Sequence, residues 1–298
     1  MSILLIGSDS FIAQKFLNSS ENFNILGISR TIAQTPIETE ISNLYEIAEN
    51  YFIGIDTVIN FAAIVHRPDI KDVRLYDEVN CKLAVLNAHK AKQAGVKLFI
   101  QMSTIAVYGS NSIISFDTPY NLQNPYGISK LKADEGLLAM QDDNFKVAIV
   151  RPPMVYGGGK APGNMMRLIK LVDKGIPLPF KGINNKRDFI HVQNLIQYLS
   201  IITEKQLSGI HLITDQQPVS TEYLLNTIST FFEKKALLLK VPNWILRALK
   251  TFRPHEFEKL FGSLRVETNF PFEDQIIRYS VEEGIREMVE WYKQSSKQ

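Results

Sequence analysis

The first seventeen residues constrain this chain more than any others. Ile3-Leu4-Leu5-Ile6 is a short, unbroken apolar run, Gly7 follows it at once, and Ser10-Phe11-Ile12-Ala13 opens a helical stretch that continues through Leu17. An apolar run with no polar alternation is what a strand covered on both faces requires. A glycine turn between such a strand and a helix N-terminus presents free backbone amides, and these can receive the pyrophosphate of a dinucleotide. The pattern expected for that task is Gly-x-x-Gly-x-x-Gly. Only Gly7 is kept, with Ser10 and Ala13 in the other two places. Alanine is a mild change for helix-to-strand packing, whereas serine narrows the room for phosphate against the backbone. Taken alone, the segment is equally well an ordinary strand, turn and helix.

The alternation that follows extends the argument. Asn24-Ile25-Leu26-Gly27-Ile28 reads as a second strand ending at Ser29-Arg30, and Thr57 to Ala63 as another that runs into small residues. Leu83 to Ala94 reads as a helix closed by Gly95, Lys97 to Met102 as the next strand, and Lys146 to Val150 as one more, ended by Arg151-Pro152-Pro153. Strands alternating with helices at this spacing predict an α/β fold, a Rossmann-like doubly wound parallel sheet. Ligands on such sheets bind beyond the carboxyl ends of the strands. Ala62 and Ala63 would let backbone lie close to a ligand there. At the end of the second strand an arginine suits a 2′-phosphate, so Ser29 and Arg30 lean toward NADP(H) over NAD(H), unless Arg30 is simply a solvated residue.

The same rule singles out Ser103 and Thr104, at the carboxyl end of the Leu98 to Met102 strand, where their hydroxyls would project into the crevice. A turn or capping role is the ordinary alternative. Asn124-Pro125-Tyr126-Gly127-Ile128-Ser129-Lys130 then sets a tyrosine and a lysine four residues apart at the start of a helix expected from Tyr126 to Met140. That spacing puts both on one face, roughly 5–6 Å apart at Cβ. An ammonium beside a phenol stabilises the phenolate, so the pair is expected to lower the tyrosine pKa from about 10. A chance spacing with a snorkelling lysine would look the same.

Composition excludes several classes. The 298 residues are 45% apolar and 21% charged with a net charge of +2, which gives no general electrostatic case for nucleic acid. Cys81 is the single cysteine, so there is no intrachain disulfide or cysteine-cluster metal site, and a reducing cytoplasm is expected. No apolar stretch reaches the ~18 residues of a membrane span. His66 and His211 lack partners at metal-ligand spacing, so no metal site is expected.

Several segments together carry a family resemblance. They are the Gly7 loop, Asn60-Phe61-Ala62-Ala63, Asp77-Glu78-Val79-Asn80, Met102 to Gly109, Asn124 to Lys130, Arg151 to Gly157 and Arg187 to Val192. In this order, running nearly end to end, they resemble the extended short-chain dehydrogenase/reductases of the nucleotide-sugar epimerase/dehydratase group. Phe145 to Asn164 and Phe257 to Leu264 are most similar to bacterial enzymes that reduce or epimerise C4 of UDP-hexosamines for capsule and O-antigen precursors.

The resemblance implies that Tyr126 is the acid/base, Lys130 its pKa partner and a ligand of the nicotinamide ribose, and Thr104 the hydroxyl that holds the sugar C4 oxygen, with Ser103 beside it. It also implies that Gly7, Ser10, Phe11, Ile12, Ser29, Arg30, Ala62, Ala63, Asn80 and Pro152 hold the cofactor, and that Asn164 and Arg187 hold the UDP-sugar. Arg187 could otherwise pair with Asp188, and His191 is expected to be structural. Residues 1–154 would form the NAD(P)-binding domain, with about 187–214 partly returning to its sheet. Residues 155–298 would form a smaller mixed α/β substrate domain. A homodimer through the helices at Leu83 to Ala94 and Tyr126 to Met140 is implied as well.

Three functions follow as expectations. Reduction of a UDP-4-keto-hexosamine comes first, a UDP-sugar 4-epimerase with retained NAD second, and a non-catalytic dinucleotide sensor third. Asn243 to Phe252 is amphipathic and basic, and is expected to pack in the substrate domain, with peripheral membrane contact as the alternative. Ser280 to Tyr292 is expected to be a final helix tucking in Ile285, Met288, Val289 and Trp291.

Overall fold

The structure, a computed structural model, describes residues 1–20, 22–30, 38–40, 43–65, 72–122 and 124–296. In chain order the elements are β1 (Ser2–Ile6), α1 (Phe11–Ser19), β2 (Asn24–Ser29), β3 (Glu38–Glu40), β4 (Thr57–Asn60), α2 (Arg74–Tyr76), α3 (Leu83–Gln93), β5 (Leu98–Met102), β6 (Ile113–Ile114), α4 (Pro125–Leu138) and β7 (Lys146–Arg151). They continue with β8 (Met154–Tyr156), α5 (Asn164–Asp173), β9 (Phe189–His191), α6 (Val192–Glu204), β10 (Gly209–Leu212), α7 (Thr221–Phe231), α8 (Asn243–Phe252), α9 (Pro254–Phe261), β11 (Arg265–Val266) and α10 (Val281–Ser295).

Two compact units divide the chain. The first comprises Met1–Gly109, Tyr120–Arg151 and Ile196–Leu212; the second comprises Ser110–Pro119, Pro152–Leu195 and the chain from Ile213 onward.

The first unit is built on a seven-stranded parallel sheet in the order β10-β7-β5-β4-β1-β2-β3. Ile3 to Ile6, Val58, Ile59, Leu98 to Ile100 and Val147 to Val150 are fully buried. Burial on both faces is why these strands read as continuous apolar runs rather than alternating ones. From β1 the chain steps outward to β3 and returns to β4 on the other flank of β1. That reversal opens a crevice beyond the carboxyl ends of β1 and β4.

Two elements differ from expectation. The strand expected to reach Ala63 ends at Asn60, because the Phe61 and Ala62 amides both turn to the Ile6 carbonyl, at 2.8 and 3.1 Å. The Asn60 side chain also accepts from the Ala62 amide at 3.2 Å. The helix expected to begin at Leu83 starts at Arg74 and passes through a π-helical turn, Asp77–Lys82, before α3. π turns of this kind frequently mark functional sites.

The second unit carries the short parallel pairs β8–β9 and β6–β11. Its polar core is organised on Asp215, whose carboxylate accepts from the Tyr156 hydroxyl (2.9 Å), the Asn194 amide (2.7 Å) and the His191 backbone N–H (2.9 Å). The His191 ring stacks on Tyr279 at 4.9 Å and meets Glu287 through Nε2 at 3.1 Å. Ser280 and Glu283 form a capping box at the start of α10, which buries Ile285, Met288 and Val289, with Trp291 half-buried. Helix α8 packs lightly, with Leu246, Ala248 and Leu249 half-buried. No residue of α8 is buried, and Trp244 and Phe252 are 72% and 82% exposed. Among the described residues no helix is long and apolar enough to cross a membrane.

Candidate active site

Helix α4 begins with Asn124 as N-cap, its side chain accepting from the Gly127 amide at 2.8 Å, and Pro125 in the first turn, where a missing N–H costs nothing. Gly127 matters for a different reason: a Cβ there would lie 2.9 Å from the Ala106 carbonyl oxygen. Without a side chain at that position, the first turn of α4 closes against the 3₁₀ turn Ile105–Tyr108 that follows β5. Thr104 caps that turn, accepting from the Ala106 amide at 3.1 Å, and its hydroxyl lies close enough to the partly exposed Tyr126 to favour the phenolate. Local backbone rules thus bring Thr104 and Tyr126 together.

Lys130 follows one turn later on α4. Its Nζ is buried and has no hydrogen-bond partner among the described residues. Desolvation pulls its pKa down to about 8, with the Asp134 carboxylate opposing. The expected lowering of the tyrosine pKa is corrected. Burial pushes Tyr126 up to about 12, the nearby Thr104 hydroxyl opposes this, and Asp134 adds to it. At neutral pH the site therefore holds a neutral phenol and an isolated ammonium.

Beneath the pair lies a buried network. Asp134 Oδ2 accepts from Ser103 Oγ at 2.7 Å and from Arg151 Nε at 3.0 Å. The Arg151 guanidinium also donates to the Tyr108 hydroxyl at 2.7 Å and the Tyr120 hydroxyl at 3.3 Å, and it lies over both rings. Ser103 is therefore turned into the network instead of projecting into the crevice: it is 6% exposed and its proton is committed to Asp134. Sequence reasoning missed Asp134, Arg151, Tyr108 and Tyr120. The readable signal was Asp134 four residues after Lys130, on the same helical face.

A cavity of about 310 Å³ opens at the sheet reversal, lined among others by Gly7, Ser10, Arg30, Ala62 and Ala63 of the expected cofactor residues. Asn43, Tyr45 and Val79 also line it and were not foreseen. Gly7 has φ of +79°, and a Cβ there would sit 2.8 Å from the Ala62 amide nitrogen, so only glycine lets the β1 turn meet the end of β4. The Gly7→Ala variant is accordingly expected to lose about 2 kcal/mol or more of stability, read from its urea midpoint.

Ser10 is the N-cap of α1, accepting from the Ala13 amide at 3.3 Å, which leaves the Phe11 and Ile12 amides without a partner in the helix. Asn80, in the π turn, is fully buried. It accepts from the Ile64 amide at 2.7 Å and donates to the Ile64 carbonyl and to Ser129 Oγ, each at 3.0 Å. It thus ties the cavity wall to the residue before Lys130 and has no amide proton to spare. Ser29 is buried and does not line the cavity; Pro152 is buried directly after β7. A positive-φ glycine at the strand end, two free helix amides and an unpartnered buried ammonium fit a nicotinamide dinucleotide.

In the second unit Asn164 and Arg187 line one cavity of about 320 Å³, together with Arg167, Lys259, Leu260 and several apolar residues. Arg187 does not pair with Asp188. Its NH1 donates to the carbonyls of Lys259 (3.1 Å) and Gly262 (3.2 Å), while Asp188 accepts from the Val266 amide and lies 3.5 Å from Arg265. His66 lies outside the described residues, and among those described no three His, Cys, Asp or Glu side chains are grouped to hold a metal ion.

Known proteins resemble this chain in sequence and in fold. Residues 3–212 match the model of the NAD dependent epimerase/dehydratase family. The chain is 31% identical over 287 residues to a UDP-glucose 4-epimerase of Vibrio cholerae, covering 89% of this chain and 87% of the relative. It is 25% identical over 252 residues to an N-acetyl-α-D-glucosaminyl-diphospho-ditrans,octacis-undecaprenol 4-epimerase of Escherichia coli O157:H7, covering 80% and 75%. The solved structure of MoeE5 in complex with UDP-glucose and NAD superimposes with a TM-score of 0.78 at 22% identity, covering 99% of this chain and 100% of that one, a likeness of fold. With the family model matched from β1 through β10 and a relative aligned over most of both chains, this protein belongs to the NAD-dependent epimerase/dehydratase family.

Proposed function

We propose that the protein is a UDP-sugar 4-epimerase that retains NAD. The observation that carries the chemistry is the Thr104 hydroxyl set next to the Tyr126 phenol, with the unpartnered ammonium of Lys130 one turn further along the same helix. What favours epimerisation over reduction is that the relative at 31% identity over most of both chains has a 4-epimerase name, as does a second relative at 25%, while two further relatives are named 4,6-dehydratases and none a reductase. Glucose or N-acetylglucosamine is the sugar those names support. The case for NADP rested on Arg30, which lies exposed on the cavity rim, whereas the family is described by NAD.

In this reading Tyr126 exchanges a proton with the sugar C4 oxygen, Thr104 orients that oxygen through its hydroxyl, and Lys130 supplies the positive charge that favours the phenolate during the transfer. Nicotinamide, when bound, supplies hydride acceptance and return at the sugar C4. Lys130 Nζ, the Phe11 and Ile12 amides and the Gly7 turn are the groups that would hold the dinucleotide. Asn164, Arg187, Arg167 and Lys259 suit a nucleoside diphosphate, since arginine and lysine pair well with its phosphates. Asn80 and Ser103 act by positioning. The division into a dinucleotide-binding and a substrate-binding unit, and a homodimer through α3 and α4, belong to the same reading; sedimentation velocity measures the latter, and a monomer would remove it.

The test is the cofactor. Denatured protein, as purified, is expected to release stoichiometric NAD, and turnover with UDP-glucose or UDP-N-acetylglucosamine is expected to leave the 340 nm absorbance unchanged. Stoichiometric NADPH oxidation with a UDP-4-keto-hexosamine would instead support the reductase reading.

A further inference from the structure

The hairpin of α8 and α9 carries a surface that the site does not use. Trp244, Ala248 and Phe252 follow one another at four-residue spacing and so share a helical face, with Ile245 beside them. Trp244, Ile245 and Phe252 are 72%, 38% and 82% exposed, and Leu237 and Leu239, just ahead of the helix, are 53% and 56% exposed. Single exposed apolar residues are ordinary, but Trp244, Ile245 and Phe252 exposed on one ten-residue helix, with half-buried Ala248 between them, mark an interaction surface. The flanking charge has one sign. Between Glu233 and Glu256 there are six lysines and arginines and no carboxylate, in a chain whose net charge is only +2. Lys234 is paired with Asp173 and Arg253 with Glu256. Lys235, Lys240, Arg247 and Lys250 make no ion pair among the described residues.

We propose that this hairpin docks the protein on an anionic membrane surface. In that pose α8 lies in the plane of the headgroups, Trp244 and Phe252 enter the acyl boundary, and the cations meet lipid phosphates. Charge complementarity selects this occupant. A second copy seated on the same face through a two-fold contact would bring the same cations against one another, whereas an anionic bilayer neutralises them. α9 continues directly from α8, and its Lys259 and Leu260 line the second cavity, so docking would hold that wall at the bilayer.

The experiment mixes the full chain with vesicles of phosphatidylcholine alone or of equal parts phosphatidylcholine and phosphatidylglycerol, and reads co-sedimentation and tryptophan emission. Binding is expected to the anionic vesicles, with a blue shift, and release is expected as sodium chloride is raised to about 0.5 M. The W244S/F252S variant is expected to bind about tenfold or more weakly, and R247Q/K250Q about twentyfold more weakly. Both should keep wild-type turnover of a soluble UDP-sugar, since none of these residues lines either cavity. Absence of wild-type binding to anionic vesicles, equal binding to phosphatidylcholine alone, or a blue shift that survives in a folded W244S/F252S variant would each overturn the proposal. So would dissociation of an oligomer by that variant, which would assign the face to a second copy.

Discussion

Tyr126→Phe is expected to lower kcat about 10³-fold with the melting temperature unchanged, whereas Lys130→Met should lower kcat comparably and raise the melting temperature of the NAD-free protein. The two side chains share a helix face and differ in what their burial costs. Tyr126 is neutral at pH 7 in both folded and unfolded chains, so removing its hydroxyl removes the proton carrier and little else. Lys130 is held at about 8 against an ordinary 10.5.

The sign of the pH dependence follows. Below pH 8 both states carry the proton, and the folded state bears the full cost of a desolvated ammonium, about 3 kcal/mol. Between the two values the unfolded chain binds more protons than the folded one, so stability rises with pH, and above the higher value the cost is gone. Methionine fills a similar volume without charge. The variant should therefore melt several degrees above wild type at pH 7, and the gap should have shrunk to about a quarter by pH 10, closing above the ordinary lysine value. Calorimetry at both pH values reads this directly; a variant that melts below wild type at pH 7 contradicts it.

Arg151→Met is expected to cost about 3–5 kcal/mol, since it leaves the Asp134 carboxylate buried without its principal counter-charge. Arg151 and Asp134 side chains are each only 1% exposed, and their contact is 3.0 Å. Burial pushes the Asp134 pKa up, with Arg151, the Ser103 hydroxyl and Lys130 opposing. Removing the acid as well should recover much of the loss, so D134L/R151M is expected to be more stable than R151M in urea. Arg151→Lys should not restore wild-type stability, because an ammonium cannot bond Asp134 in the plane of the guanidinium and lie over Tyr108 and Tyr120 at once. Strict additivity of the two single variants would contradict this coupling.

The parallel sheet was legible in the sequence because its central strands are buried on both faces, which forces unbroken apolar runs at Ile3 to Ile6, Leu98 to Ile100 and Val147 to Val150. The Tyr126–Lys130 pair was legible because helix periodicity is local, and its N-cap and proline are written in Asn124-Pro125. The direction of the tyrosine pKa was not legible. Four-residue spacing gives proximity to a cation, whereas desolvation depends on what the third dimension packs around the hydroxyl. Ser10 looked like damage to a glycine pattern, yet it works as a helix cap with two amides free beside it. Ser103 was misjudged because its partner lies 31 residues away on another element. The π turn that carries Asn80 leaves no periodic mark over six residues.

The acid/base account is tested most directly by NMR of UDP-glucose and of UDP-N-acetylglucosamine incubated with the protein as purified, with no cofactor added. It predicts that one of them converts to an equilibrium mixture with its C4 epimer, and that Tyr126→Phe slows the conversion about 10³-fold. Two unchanged substrates, or conversion at the wild-type rate by Tyr126→Phe, would contradict it.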